Sequence, residues 1–513
     1  MTKPCVKFES VTFLYETSAA PIFEDLSLQF DVGWTGVIGP NGCGKTTLLR
    51  LACGDVAPVA GMVTVPKETV YCPQRTDEPP GLFREFAAAT DRDACVLRGQ
   101  LKIKVDWPDR WDTLSHGERK RVQIAVALWR APRVLAIDEP TNHIDRDARH
   151  MLSGALQSFR GVGLLVSHDR FLLDALCRQC VMIDPPDVVV RPGGYTKALA
   201  LAGAEADRAR RVRARARQEL KRLQREAQSR RQEADRADRK RSKRRLKPGQ
   251  SDAREKIDRA RVTSKDAQAG RVLRQMEGRL EQAREHLDRS RVKRTRRLGV
   301  EVYGEPAKRD ALVRLPAGSL PLGRTRELVF PDLWMSPDDR VALVGPNGGG
   351  KSTLVRHVVS QLDLPKRRTV YLAQEIPLAA AKTIIAEVRR LPHKRLGDVM
   401  TFVSRLGSNP ERLLATDAPS PGELRKLMLA LGVARTPYLI VMDEPTNHLD
   451  LPSIECLEDA LDDCRCGLLL VSHDERFLRR LTRKRWEISE DPSDPHAPMR
   501  LHVREAGQEF GSG

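Results

Sequence analysis

The chain of 513 residues carries 88 Lys and Arg against 69 Asp and Glu, a net charge of +19, and only 5% of its residues are aromatic. That length suits about two to four domains. No apolar run is long enough to span a bilayer as a helix, and the opening MTKPCVKFES lacks the apolar core of a secretion signal; an α-helical membrane protein is excluded and a cytoplasmic location is expected. The ten cysteines fit a reducing compartment, because Cys43 and Cys72 lie inside motifs that a disulfide would distort.

The charge excess is central. Residues 201–300 hold 34 basic and 15 acidic residues, an excess of 19, which leaves the flanking segments neutral. A cationic segment between neutral ones attracts nucleic acid or an anionic surface.

In chain order, the first strong signal is GPNGCGKTT, Gly39 to Thr47, a phosphate-binding loop of the form G-x-x-x-x-G-K-[ST]. Its Gly39, Asn41, Gly42 and Gly44 let backbone N–H groups turn inward around phosphate oxygens. The helix expected after Thr47 offers its positive end to the same phosphates. Lys45 is expected on the β- and γ-phosphates of ATP, and Thr46 on Mg²⁺. VLAIDEP follows about ninety residues on and reads as a buried strand whose carboxyl end presents acids to the phosphate site. Asp138 suits the Mg²⁺ shell, and Glu139 suits polarising the attacking water. Cys177-Arg-Gln-Cys180 has the spacing of half a zinc site but no second pair, so buried thiols are the better reading.

From about Glu205 to Leu246 there is no proline or glycine, and Ala, Arg, Glu, Gln and Leu, all strong helix formers, predominate. Lys247-Pro248-Gly249 is a break, and Asp252 with Glu255 is a plausible helix start. Leu273, Met276, Leu280, Ala283 and Leu287 then form a one-sided seam suited to an antiparallel partner. Two helices folded back at a tip between roughly Lys240 and Gly270 are expected, the first about 60 Å long. At that tip lies RKRSKRRLKPG. Its Arg239, Lys240, Arg241, Lys243, Arg244, Arg245 and Lys247 have no acid among them, so they are expected on RNA phosphates. Without aromatic platforms, such an arm binds backbone and shape rather than stacked bases.

The motifs then return in order. GPNGGGKST, Gly345 to Thr353, repeats the phosphate loop, with Asn347, Gly348, Gly350, Lys351 and Ser352 matching the first copy. LIVMDEP supplies Asp443 and Glu444, and VSHDERF repeats VSHDRF. The expected fold class is α/β: two tandem P-loop domains, 1–200 and 311–513, joined by an antiparallel helical linker over 201–310.

This order resembles the ATP-binding cassette superfamily, and specifically its ABC-F branch. That branch has two cassettes in one chain, no transmembrane domain and a charged helical linker, and the twice-written Asp-Glu-Pro-Thr-Asn-His is typical of it. The resemblance implies that Gln74 and Gln374 are Q-loop glutamines near Mg²⁺. It also implies that His168 and His473 are switch histidines contacting the γ-phosphate, and that Asp145 and Asp450 lie at the cassette interface. Tyr15 would stack on adenine, with no aromatic counterpart in LPAGSLPLGRTREL. Ser115, Gly117 and Glu118 of LSHGE would complete the opposite cassette's site, as would Ser420, Gly422 and Glu423 of PSPGE. Pro421 replaces the glycine of the family's signature and removes one N–H, a change tolerated in a helix's first turn. The two ATP sites are therefore expected to differ.

The functional expectation is a ribosome-binding ATPase whose linker approaches transfer RNA and ribosomal RNA, acting in translation control or antibiotic ribosome protection. The intramolecular pairing of cassettes implies a monomer. A DNA-repair ATPase is the alternative. An ATPase subunit of a membrane importer fits less well, since it has no use for so basic an arm.

Overall fold

The structure is a computed structural model that describes residues 4–16, 20–141, 144–240, 265–290, 304–323, 326–374, 378–416, 419–447, 449–490 and 497–505. It divides into two compact units, residues 1–198 with 296–513, and residues 199–295.

The first cassette is built on a six-stranded sheet. Its order is Thr69–Cys72, Val134–Asp138, Val162–Val166, Gly33–Ile38, Cys177–Asp184 and Asp187–Pro192. All neighbours are parallel except the last pair. Val134–Asp138 and Val162–Val166 are buried at every residue, as expected of parallel strands covered on both faces. A separate antiparallel sheet, Phe23–Phe30, Val6–Phe13 and Ala60–Thr64, closes over the same core. Phe8, Phe13 and Phe30 from it meet Leu48 and Leu51 of the helix Lys45–Cys53, and Val134 and Val166 of the parallel sheet.

The second cassette merges these layers into one eight-stranded sheet. It runs Gly318–Leu322, Arg326–Phe330, Met499–Glu505, Lys484–Ser489, Arg340–Val344, Gly467–Val471, Leu439–Asp443 and Thr369–Leu372. Met499–Glu505 makes the join, pairing parallel to Arg326–Phe330 and antiparallel to Lys484–Ser489. Ala307 packs in this cassette's core, so residues just before 311 belong with it rather than with the linker.

The other unit contains most of a 46-residue helix, Tyr195–Lys240, and a 25-residue helix, Lys265–Arg289. Leu223 and Ala227 of the first bury against Met276 of the second, with Leu280 and Ala283 packed alongside. Arg231 and Glu277 pair across the contact at 2.9 Å. The seam residues Met276, Leu280 and Ala283 thus meet a partner helix. The long helix starts ten residues before the expected Glu205, directly after Gly193 and Gly194, because Tyr195 and Ala198 are buried. Arg241, Lys243, Arg244, Arg245 and Lys247 lie outside the described residues, as do Asp252 and Glu255. Arg239 and Lys240 end the described helix, and their side chains are also outside it.

Candidate ATP sites

Each phosphate loop leaves the carboxyl end of a central strand, Gly33–Ile38 or Arg340–Val344, and enters a helix, Lys45–Cys53 or Lys351–Ser360. Gly44 and Gly350 sit at the helix starts with φ of 100° and 94°, a region where a side chain is strained. A Cβ on Gly44 would also strike Ile22 and Phe23, and one on Gly350 would strike Leu322. Only glycine lets the loop curl back so that its N–H groups converge. Lys45 Nζ donates to the carbonyls of Gly39 at 2.9 Å and Pro40 at 3.1 Å. Lys351 Nζ does the same to Gly345 at 2.8 Å and Pro346 at 2.9 Å. Both ammonium groups are thereby held across the mouth of the loop.

The acids stand beside them. Thr46 Oγ1 donates to Asp138 Oδ2 at 2.6 Å, and Ser352 hydrogen-bonds Asp443, whose carboxyl burial pushes up. A hydroxyl and a carboxylate in contact are the oxygen donors that Mg²⁺ accepts beside phosphates, so Thr46 with Asp138 and Ser352 with Asp443 fit that ion. Glu139 and Glu444 have φ of 46° and 50°. Left-handed backbone in a non-glycine residue is costly and gathers at functional sites. It is tied down by Glu139 N–H donating to Val166 O at 2.9 Å and Glu444 N–H to Val471 O at 2.8 Å. Burial pushes each carboxyl up to about 7.

The two histidines expected to act as switches, His168 and His473, are brought to these glutamates. His168 Nε2 lies 3.1 Å from Glu139 Oε1, and His473 Nε2 lies 3.5 Å from Glu444 Oε1. Neither contact is aligned as a hydrogen bond, and both Oε1 atoms are buried without a donor. Burial lowers both imidazoles to about 3, so these are neutral rings beside carboxyls rather than ion pairs. An acceptor oxygen at the base of a phosphate cavity, lacking a donor, is suited to a water molecule.

The other expected residues are placed unevenly. Tyr15 shares a 3.1 Å hydrogen bond with Thr47 at the first loop, whereas Leu322 and Gly323 occupy the corresponding edge of the second. Gln374 lines a cavity of about 490 Å³ at the second loop together with Asn347, Lys351, Ser352, Glu444 and His473. Gln74 is exposed beyond the strand Thr69–Cys72. Ser115 and Ser420 cap the helices His116–Trp129 and Pro421–Val433, each in a reciprocal box with Glu118 or Glu423. Pro421 takes the first helical position, where its absent N–H is no loss. Among the described residues lining the second cavity none belongs to either signature. The first cassette reaches it through Thr141, Ile144, Arg149, His168 and Asp169. Asp450 caps the helix Leu451–Asp462 and accepts from Asn41 N–H at 2.8 Å, so it joins the first phosphate loop to the second cassette. Asp145 caps the helix Arg146–Gln157. Cys177 and Cys180 are buried thiols that burial pushes up, Cys180 to about 12.

Sequence reading missed the supports. Lys120, 1% exposed, donates to Pro73 O at 2.7 Å and Asp138 O at 3.2 Å. Burial lowers it to about 8. In the second cassette Arg425 has that place and donates to Glu444 O at 2.7 Å, Asn447 O at 3.0 Å and Gln374 O. Each ties its signature helix to the Q-loop and the acidic strand end. The one sequence signal was a basic residue five positions after each signature serine. Arg170 and Glu458 form a buried pair across the cassettes at 2.6 Å, with side chains 3% and 4% exposed. Breaking such a pair by losing one partner typically costs about 3–5 kcal/mol.

Comparisons agree with this geometry. A family model described as ABC transporter matches residues 23–142 and 331–447. The tylosin resistance ATP-binding protein TlrC of Streptomyces fradiae is 30% identical over 89% of this chain and 92% of its own length. The ribosome protection protein VmlR of Bacillus subtilis is 26% identical over 93% of this chain and 85% of its own. The solved structure titled RNase-L Inhibitor shares the fold with a TM-score of 0.60 at 18% identity, covering 96% of this chain and 90% of that one. With two hydrolytic corners in one chain and a relative this similar along nearly its whole length, the chain belongs to the ABC-F family of ATP-binding cassette proteins.

Proposed function

We propose that this protein is an ATPase that binds the ribosome and acts in ribosome protection or translation control. The observation that carries the reading is a pair of cassettes with both hydrolytic corners, Asp138–Glu139 and Asp443–Glu444, in one chain with a central charge excess of 19. The similarity to TlrC and VmlR, the second named for ribosome protection, supports it. In this reading Lys45 and Lys351 turn from loop carbonyls to the β- and γ-phosphates. Glu139 and Glu444 accept a proton from the attacking water, and His168 and His473 hold the γ-phosphate end. Bound Mg²⁺ neutralises phosphate charge, and Thr46, Asp138, Ser352 and Asp443 would hold it, with Gln74 and Gln374 near it. ATP closes the cassettes so that Ser115, Gly117 and Glu118, and Ser420, Gly422 and Glu423, meet the opposite phosphate loops, with Tyr15 on the first adenine.

The working division is cassette, arm and cassette at 1–200, 201–310 and 311–513, with the residues around Ala307 packed into the second cassette. The arm, through Arg239 to Lys247, takes ribosomal or transfer RNA phosphates, and the protein acts as a cytoplasmic monomer. The test is co-sedimentation of the Glu139→Gln, Glu444→Gln double variant with ribosomes. ATP-dependent retention and inhibited translation are expected. Release as fast as wild type would overturn the hydrolysis-release cycle, and preference for duplex DNA would favour the repair reading.

A further inference from the structure

The interface between cassettes holds a cation that the ATPase reading does not use. Arg149 lies on the first cassette's helix Arg146–Gln157, four residues after Asp145. Its side chain is largely buried and lines the cavity that contains Lys351, Glu444 and His473 of the second cassette. The guanidinium has two anchors. Nε lies 2.7 Å from Asp169 Oδ2, and Nη1 donates to the backbone carbonyl of His473 at 2.9 Å. Asp169 is itself fixed, because it caps the helix Arg170–Leu176 by accepting from Leu172 N–H. The arginine is thus aimed by its own cassette at the switch loop of the other.

Among the described residues the first site has no such feature. Four residues after Asp450, the place that matches Arg149, stands Ile454, a buried aliphatic side chain. A planar guanidinium with two anchors fixes a direction that an isoleucine cannot.

We infer that Arg149 is a positioning residue acting across the interface on the second ATP site alone, holding the His473 loop where its imidazole meets the γ-phosphate. This inference rests on the ATPase reading of that site. A cation already oriented needs no reorganisation when phosphate charge arrives. Removing it should therefore lower the rate of hydrolysis more than it weakens ATP binding.

The experiment isolates each site by its glutamate. In a Glu139→Gln background only the second site turns over, and in a Glu444→Gln background only the first. Arg149→Ala is placed in each, and kcat and KM for ATP are measured. The loss of kcat should be about tenfold greater in the Glu139→Gln background, with KM changed less than kcat. Arg149→Lys, which keeps one donor for the His473 carbonyl, should recover part of the loss. Arg149→Met preserves the apolar stem and guards against misfolding, and it should show the same ratio between backgrounds. Equal losses in both backgrounds would mean that Arg149 only holds the interface together, and would overturn the inference. Absence of turnover in the protein with both glutamates and Arg149 intact would overturn the ATPase reading, and the inference with it.

Discussion

At the first phosphate loop Tyr15 reaches Thr47, and at the second Leu322 and Gly323 border the cavity. The first signature helix is tied down by Lys120 and the second by Arg425. Arg149 crosses to the second switch loop, while its counterpart Ile454 brings no charge. Yet the hydrolytic corners match closely: a hydroxyl on Asp138 or Asp443, and a glutamate with left-handed backbone next to a neutral histidine. Groups that touch phosphate are constrained by its chemistry. Groups that hold them in place need only donate to a carbonyl, and lysine or arginine will do so.

The comparison can be broken at several levels. The largest effect should come from the shared corner. Glu139→Gln with Glu444→Gln should lower ATP turnover by about 10² to 10⁴, the usual range for losing a general base, measured by phosphate release. Near-normal turnover would mean that these glutamates are not the acceptors.

The supports come next. Arg425→Met should destabilise the protein more than Lys120→Met does, by roughly 1.5–3 kcal/mol, since a charged hydrogen bond is worth about that much and Arg425 makes one more of them. Chemical denaturation of each variant checks the order. A reversed order would show that the two helices are held by something else.

Smaller again is the adenine edge. Tyr15→Leu, which copies the second site, should weaken ATP binding at the first by about fivefold, because an aromatic stack is worth roughly 0.5–1.5 kcal/mol. Titration in a Lys351→Ala background reads that site. The smallest effect is expected at Pro421. Replacing it with His, the residue at the matching place in the first signature, should shift stability by less than about 1 kcal/mol, because position one of a helix loses no hydrogen bond to proline. A loss of several kcal/mol on thermal melting would mean that the proline braces more than the helix start.

How much of this was legible in the sequence follows from where each partner lies. The phosphate loops and acidic strand ends could be read because the chemistry is local: Gly44, Lys45 and Thr46 are neighbours, and the all-apolar strand before Asp138 betrays its burial. The linker seam could be read because Met276, Leu280 and Ala283 repeat at helical spacing. The start of the long helix was hidden because Gly203, a poor helix former, lies within it. Lys120 and Arg425 left only a repeated basic position in the sequence, since their partners are backbone carbonyls, and Arg149 left none, since it bridges Asp169 and a carbonyl of the other cassette. The joining strand Met499–Glu505 could not be read, since its pairing with Arg326–Phe330 is set by tertiary contact.

The central claim is that the two sites are unequal, and single-site turnover tests it most directly. Glu139→Gln and Glu444→Gln proteins, each with one working corner, should hydrolyse ATP at clearly different rates under the same saturating conditions. Equal rates would contradict the account, because differences at Tyr15, Arg149 and Pro421 would then have no consequence for hydrolysis.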